Sequence, residues 1–149
     1  MSNQSTINRL LDLTNKKLES AGTALAAQIR SHAAIKSDHQ RLIEYREDYL
    51  KRLGEQSQSG VSATSYDNAR RFIDSLNQAI AHQERLMNEA NTRVDTARVA
   101  WQGVRREKLS YQTLEERRAE ESRAAQAQVE RKQTDEDGAR LAARQRPVF

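Results

Sequence analysis

Residues 66–111 read YDNARRFIDSLNQAIAHQERLMNEANTRVDTARVAWQGVRREKLSY, and two interleaved seven-residue tracks run through them. One track holds Tyr66, Ile73, Ile80, Met87, Val94 and Trp101. The other holds Ala69, Leu76, Gln83, Ala90, Ala97, Val104 and Tyr111. A 3.5-residue period keeps one seam turned toward a partner helix along its whole length, so the stretch predicts one strand of a coiled coil. Trp101 sits on the Tyr66 track and is expected to pack against the partner.

That partner lies upstream in the same chain. Leu11, Leu18 and Leu25 are seven apart, and Ile7, Ala21, Ile35, Leu42 and Tyr49 continue a second track, loosened in the middle by Gln28, His32 and His39. Between the two tracks, Gly54-Glu55-Gln56-Ser57-Gln58-Ser59-Gly60-Val61-Ser62 is rich in glycine and serine and reads as a turn. The expectation is all-α: a long antiparallel two-helix coiled-coil hairpin forming one domain over 1–149. Helix 1 covers about 4–53, the loop 54–64 and helix 2 about 65–135, followed by a frayed or disordered tail over 136–149. Folding about residue 59 sets Leu42 near Leu76 and Ile7 near Gln112. Helix 1, at about 1.5 Å per residue, spans roughly 75 Å, which predicts a rod. Beyond about residue 115 helix 2 has no counterpart; Asp135-Glu136-Asp137-Gly138 is expected to interrupt it and Pro147 to end any helix.

Composition supports this class. Hydrophobic residues make up 36% of the 149 and charged residues 31%, with five glycines and one proline, a balance suited to a thin seam with solvated outer faces. With no cysteine there is neither a disulfide nor a thiolate metal site, which fits a reducing cytoplasm. His32, His39 and His82 lack metal-ligand spacing, so no metal or other cofactor is expected. The glycines are isolated, which excludes a phosphate-cradling loop, and two helices enclose no site for catalysis; the chain does not read as an enzyme. Nothing approaches the length of a membrane span, and the first residues have no secretory pattern.

The net charge of +4 and pI of 9.6 bring nucleic acid into view. Acidic residues are mixed through every basic stretch, however, as in Glu115-Glu116-Arg117-Arg118-Ala119-Glu120-Glu121, and that pattern marks solvated helix faces. One local bias survives. At the open end of the hairpin Arg9, Lys16, Lys17, Arg105, Arg106 and Lys108 face only Asp12, Glu19 and Glu107, a positive tip suited to an acidic cavity in a partner.

Near the loop the chain carries more apolar surface than one seam accommodates. Ile43, Leu50 and Leu53 form one stripe of helix 1; Leu42, Tyr45 and Tyr49 form another, rotated by about 100°. Helix 2 repeats this with Phe72, Leu76, Ala79, Gln83 and Leu86 beside Ile73, Ile80 and Met87. Two readings stand: a wide seam with tyrosine hydroxyls at its wet edge, or a face around Tyr45, Tyr49 and Phe72 that docks another protein.

The run Leu42-Ile43-Glu44-Tyr45-Arg46-Glu47-Asp48-Tyr49-Leu50, the loop ending Gly60-Val61-Ser62, and Phe72-Ile73-Asp74-Ser75-Leu76-Asn77-Gln78-Ala79-Ile80, with Val94 and Trp101, resemble the FliJ family of flagellar export proteins. The resemblance runs from about Leu10 to Arg118. It implies a coiled coil similar to the stalk of the rotary ATP synthase γ subunit, serving flagellar type III export. It further implies binding to the export ATPase FliI, to the cytoplasmic domain of the export gate FlhA and to empty export chaperones, in the cytoplasm at the inner face of the membrane at the flagellar base. The family's gate-contacting face carries over onto Leu42, Tyr45, Tyr49, Phe72, Leu76, Ala79 and Gln83; Asp38 lies on the same face but is charged. By the γ-stalk likeness, the basic end would enter the ATPase ring. The alternatives are the equivalent stalk of a virulence-type III secretion system and, from another class, a nucleic-acid-associated coiled coil.

Overall fold

The computed structural model describes residues 2–145, and these form two helices and no strand: α1, Ser2–Gln58, and α2, Ala63–Arg144. Arg146 and Pro147, with the helix end expected there, lie outside the described residues. The helices run antiparallel, since later residues of α1 meet earlier residues of α2. Arg93 Nε donates to Gln28 Oε1 at 3.3 Å, and Arg46 Nη1 donates to Asn77 Oδ1 at 2.9 Å. These pairs centre the hairpin near residue 61, not 59. The turn is correspondingly shorter than the glycine and serine content implied, because Gly54–Gln58 are helical and only 59–62 lie between the helices.

Each side of the turn has a local cause. Ser59 N–H and its hydroxyl both donate to the Gln56 carbonyl, at 3.1 and 3.0 Å, and Gly60 follows with φ +87°, a left-handed residue that ends a helix at little steric cost. Ser62 then caps α2: its Oγ accepts the Ser65 N–H at 3.2 Å, and its carbonyl accepts the Tyr66 N–H at 3.0 Å. Gly60→Ala should destabilise the chain by about 1 kcal/mol, because it puts a Cβ into the left-handed region. Gly54 and Gly103, by contrast, are helical and a Cβ at either meets nothing within 4 Å. Alanine at each is expected to raise stability by about 0.5–1 kcal/mol, read as a higher midpoint of thermal unfolding.

The heptad tracks become the seam. Ala69, Leu76, Ile80, Ala90 and Val94 of α2 are buried, as is Ile7 of α1, while Leu11, Leu18, Leu25, Ile35, Leu42 and Tyr49 are half-buried. Tyr66 departs from its track and stays half exposed, since it lies in the first turn of α2 where α1 is ending. Packing divides the chain into two compact units: Leu18–Gly103, which includes the turn, and Met1–Lys17 with Val104–Phe149. In the first, Trp101 packs on Gly22, where a Cβ would sit 3.7 Å from the indole Nε1.

In the second unit the most buried side chain is polar. Thr14 is 1% exposed, and its hydroxyl donates to the Leu10 carbonyl at 2.6 Å, the back-bond by which a threonine satisfies itself inside a helix. Since an α-helix already gives that carbonyl an amide partner, Thr14→Val is expected to change stability by less than about 1 kcal/mol. Urea unfolding checks this.

α2 also overturns the expected break, running as helix through Asp135–Gly138 to Arg144. Alanine, arginine, glutamate and glutamine carry high helix propensity, and one interior glycine costs only about 1 kcal/mol against that sum. Residues 120–145 are all exposed. No described helix is long and apolar enough to cross a membrane, and no described cluster of histidines and carboxylates could hold a metal ion.

Candidate docking surfaces

In the unit Leu18–Gly103 the two apolar stripes near the turn flank the seam from both sides. Leu42 and Ile43 are both half-buried, with Arg46, Tyr49 and Leu53 between the flanks, so neither stripe is wholly covered. A thin seam of two helices reaches only the inner edge of each stripe.

The Leu42–Tyr45–Tyr49 stripe, with Tyr45 on the flank and Leu42 and Tyr49 reaching the seam, is built around an aromatic cluster. Phe72 of α2 meets Tyr49 at 4.8 Å between ring centroids, tilted by 55°, and Tyr45 edge-on at 6.2 Å and 75°. Both geometries are favourable for rings carrying opposed face and edge charge. Tyr45 nevertheless remains 53% exposed and Phe72 38%, a large apolar area facing water. Beside it, Leu42, Tyr45 and Gln83 line a shallow groove with Asp38 and Arg41, which pair with each other across 3.7 Å. Of the seven residues expected on this face, Leu42, Tyr45, Tyr49, Phe72 and Gln83 are brought together at the surface. Ala79 is half-buried, and Leu76 is buried in the seam and so is not part of the exposed face. Asp38 reaches the same groove as a charged rim. Arg46, with its hydrogen bond to Asn77, was not anticipated; nothing in heptad spacing distinguishes a seam arginine from a solvated one.

The six expected cations all fall in the other unit, Met1–Lys17 with Val104–Phe149. Arg9, Lys16, Lys17, Arg105 and Arg106 are exposed, and Lys108 is half-buried. Ion pairs Arg41–Asp38, Arg71–Asp67 and Arg98–Asp95 lie in the unit Leu18–Gly103, and Arg9, Lys16, Lys17 and Lys108 form no ion pair with a described carboxylate. Neither surface brings a nucleophile and a base into an enclosed site; both are suited to contact.

Comparison with known proteins gives a consistent result. The family model described as flagellar FliJ protein matches residues 3–147. The flagellar FliJ protein of Escherichia coli K12 is 26% identical over 144 residues, covering 97% of this chain and 98% of that protein. The one from Salmonella typhi is 24% identical over 144 residues with the same coverage. Among solved structures, a putative YscO homolog, CT670 from Chlamydia trachomatis, superposes with a TM-score of 0.52 at 16% identity, over 98% of this chain and 96% of that one, a likeness of fold.

Proposed function

The chain belongs to the flagellar FliJ protein family, and from that premise we propose that it is an adaptor of the flagellar type III export apparatus, without chemistry of its own, which binds the export ATPase FliI and the cytoplasmic domain of the gate protein FlhA. The observation that carries this reading is the aromatic cluster of Tyr45, Tyr49 and Phe72, preorganised by its own ring contacts yet open to solvent. Rigid aromatic anchors give large contact area at small entropic cost, which is the usual make-up of a binding hot spot. The gate meets this face, to which Leu42, Leu76, Ala79 and Gln83 also belong. The ATPase meets the basic unit through Arg9, Lys16, Lys17, Arg105, Arg106 and Lys108.

The mechanism is differential binding. An adaptor promotes ring assembly or gate opening only to the extent that it binds the assembled or open state more tightly than the other. On this reading the protein is recruited from the cytoplasm to the flagellar base, where it also takes up empty export chaperones. The test is calorimetry, with the full chain titrated into the FlhA cytoplasmic domain and, separately, into FliI. Saturable heats with both are expected; a flat titration with FlhA removes the gate half of the reading, and a flat one with FliI removes the ATPase half.

A further inference from the structure

A lone exposed leucine carries no signal, because much of any protein surface is apolar. In the unit Met1–Lys17 with Val104–Phe149, however, Leu13 and Leu114 are 51% and 43% exposed, and their surroundings share a pattern. Leu13 has Arg9 four residues before it, and Lys16 and Lys17 three and four residues after. Leu114 has Arg117 and Arg118 at the latter two positions. Those are the spacings at which helical side chains are neighbours, and no acidic residue occupies any of them. Arg9, Lys16, Lys17 and Arg117 are exposed, and none forms an ion pair with a described residue.

The two leucines also share a flank. Leu13 immediately precedes the buried Thr14, and Leu114 immediately precedes the half-buried Glu115, so each is rotated by about 100° from the seam in the same sense. In antiparallel helices equal offsets face the same side. The molecule carries its own check: Tyr45 precedes half-buried Arg46, Phe72 precedes half-buried Ile73, and their rings meet. Half-buried Leu10 extends the strip toward the seam. Glu107, which precedes half-buried Lys108, is a carboxylate on this flank, but it is itself half-buried and accepts the Tyr111 hydroxyl at 3.4 Å. Leu109 supplies the contrast. It is 52% exposed but follows half-buried Lys108, which places it on the opposite flank.

We propose that Leu13 and Leu114, fringed by Arg9, Lys16, Lys17 and Arg117, form a one-sided docking strip for a protein surface of complementary chemistry, an apolar groove rimmed by carboxylates. This rests on the ATPase reading above and deepens it: the strip names the flank that FliI grips and adds Leu13, Leu114 and Arg117 to the contact. Apolar anchors within a rim of unpaired cations match such a groove twice over, by area at the centre and by charge at the edge.

The experiment uses purified full-length chain and FliI, with affinity measured at low and high salt for Leu13→Gln, Leu114→Gln, Leu109→Gln and a Lys16→Gln/Lys17→Gln double variant. Glutamine keeps helix propensity, and circular dichroism verifies equal helicity. Leu13→Gln and Leu114→Gln are each expected to weaken binding about tenfold, with Leu109→Gln unchanged. The lysine double variant should lose more affinity at low salt than at high. Wild-type binding that survives both Leu13→Gln and Leu114→Gln overturns the strip while leaving the ATPase reading intact. An equal loss in Leu109→Gln overturns its one-sidedness. Absence of wild-type binding overturns the ATPase reading and the strip with it.

Discussion

Phe72→Ala lowers affinity for the FlhA cytoplasmic domain by at least about tenfold while the helix content of the chain is unchanged. The ring joins the two tyrosines: it meets Tyr49 at 4.8 Å and Tyr45 at 6.2 Å, so its removal deletes an anchor and also leaves both tyrosine rings without the contact that fixes them. Each aromatic pair contributes about 0.5–1.5 kcal/mol beyond area burial, and truncation of a central aromatic anchor typically costs 2 kcal/mol or more, whereas tenfold needs about 1.4. Phe72 lies outside the buried seam, so the fold survives. Tyr45→Ala, which removes only the more distant edge-on contact, is expected to weaken binding less. Calorimetry on the three proteins at matched helicity decides the matter. Wild-type affinity in Phe72→Ala would mean that the gate does not use this face.

The second large effect is on the fold itself. Ile80→Asp should destabilise the chain by about 3–5 kcal/mol, the range found when a charge is left buried without a partner. Ile80 is buried in the unit Leu18–Gly103, four residues beyond buried Leu76 on the same side of α2. Because typical domains have only about 5–15 kcal/mol of stability, the variant would lose a large share of it, visible as a much lower urea midpoint. A shift worth less than about 1 kcal/mol would show that the seam, thin as it is, lets water reach the carboxylate. Comparison with Thr14→Val separates polarity from charge. The Thr14 hydroxyl satisfies itself by bonding back to the Leu10 carbonyl, whereas an aspartate at 80 would bring a full charge into the seam.

The residues around the aromatic face show how far a sequence reading extends. Tyr45, Tyr49 and Phe72 were legible as a group because a second apolar stripe displaced by one residue is a surplus that no single seam covers. Which stripe lay inside was not legible, since the spacing is equally consistent with either, and the answer was that the seam divides them. Arg46 and Asn77 were invisible for a related reason: a hydrogen bond across helices depends on the relative axial position of the two, which the turn sets. The turn is centred about two residues later than expected, which shifts each pairing across the helices by about four residues, roughly one helical turn.

The sequence alone determined that this chain pairs two helices and which residues turn inward, because a seven-residue repeat is a property of one helix read along its own length. Ala69, Leu76, Ile80, Ala90 and Val94 were all on the tracks, and all are buried. It also carried the family, through the run from Leu42 to Ile80. Only the tertiary structure decided what the seam leaves uncovered. Thr14 goes in because its position, seven after Ile7, outweighs a hydroxyl that can satisfy itself; Tyr66 stays out because α1 ends beside it; Leu13 and Leu114 come to one flank because the chain turns back antiparallel. Burial and shared flanks are set by the second helix, and no window of the first contains it.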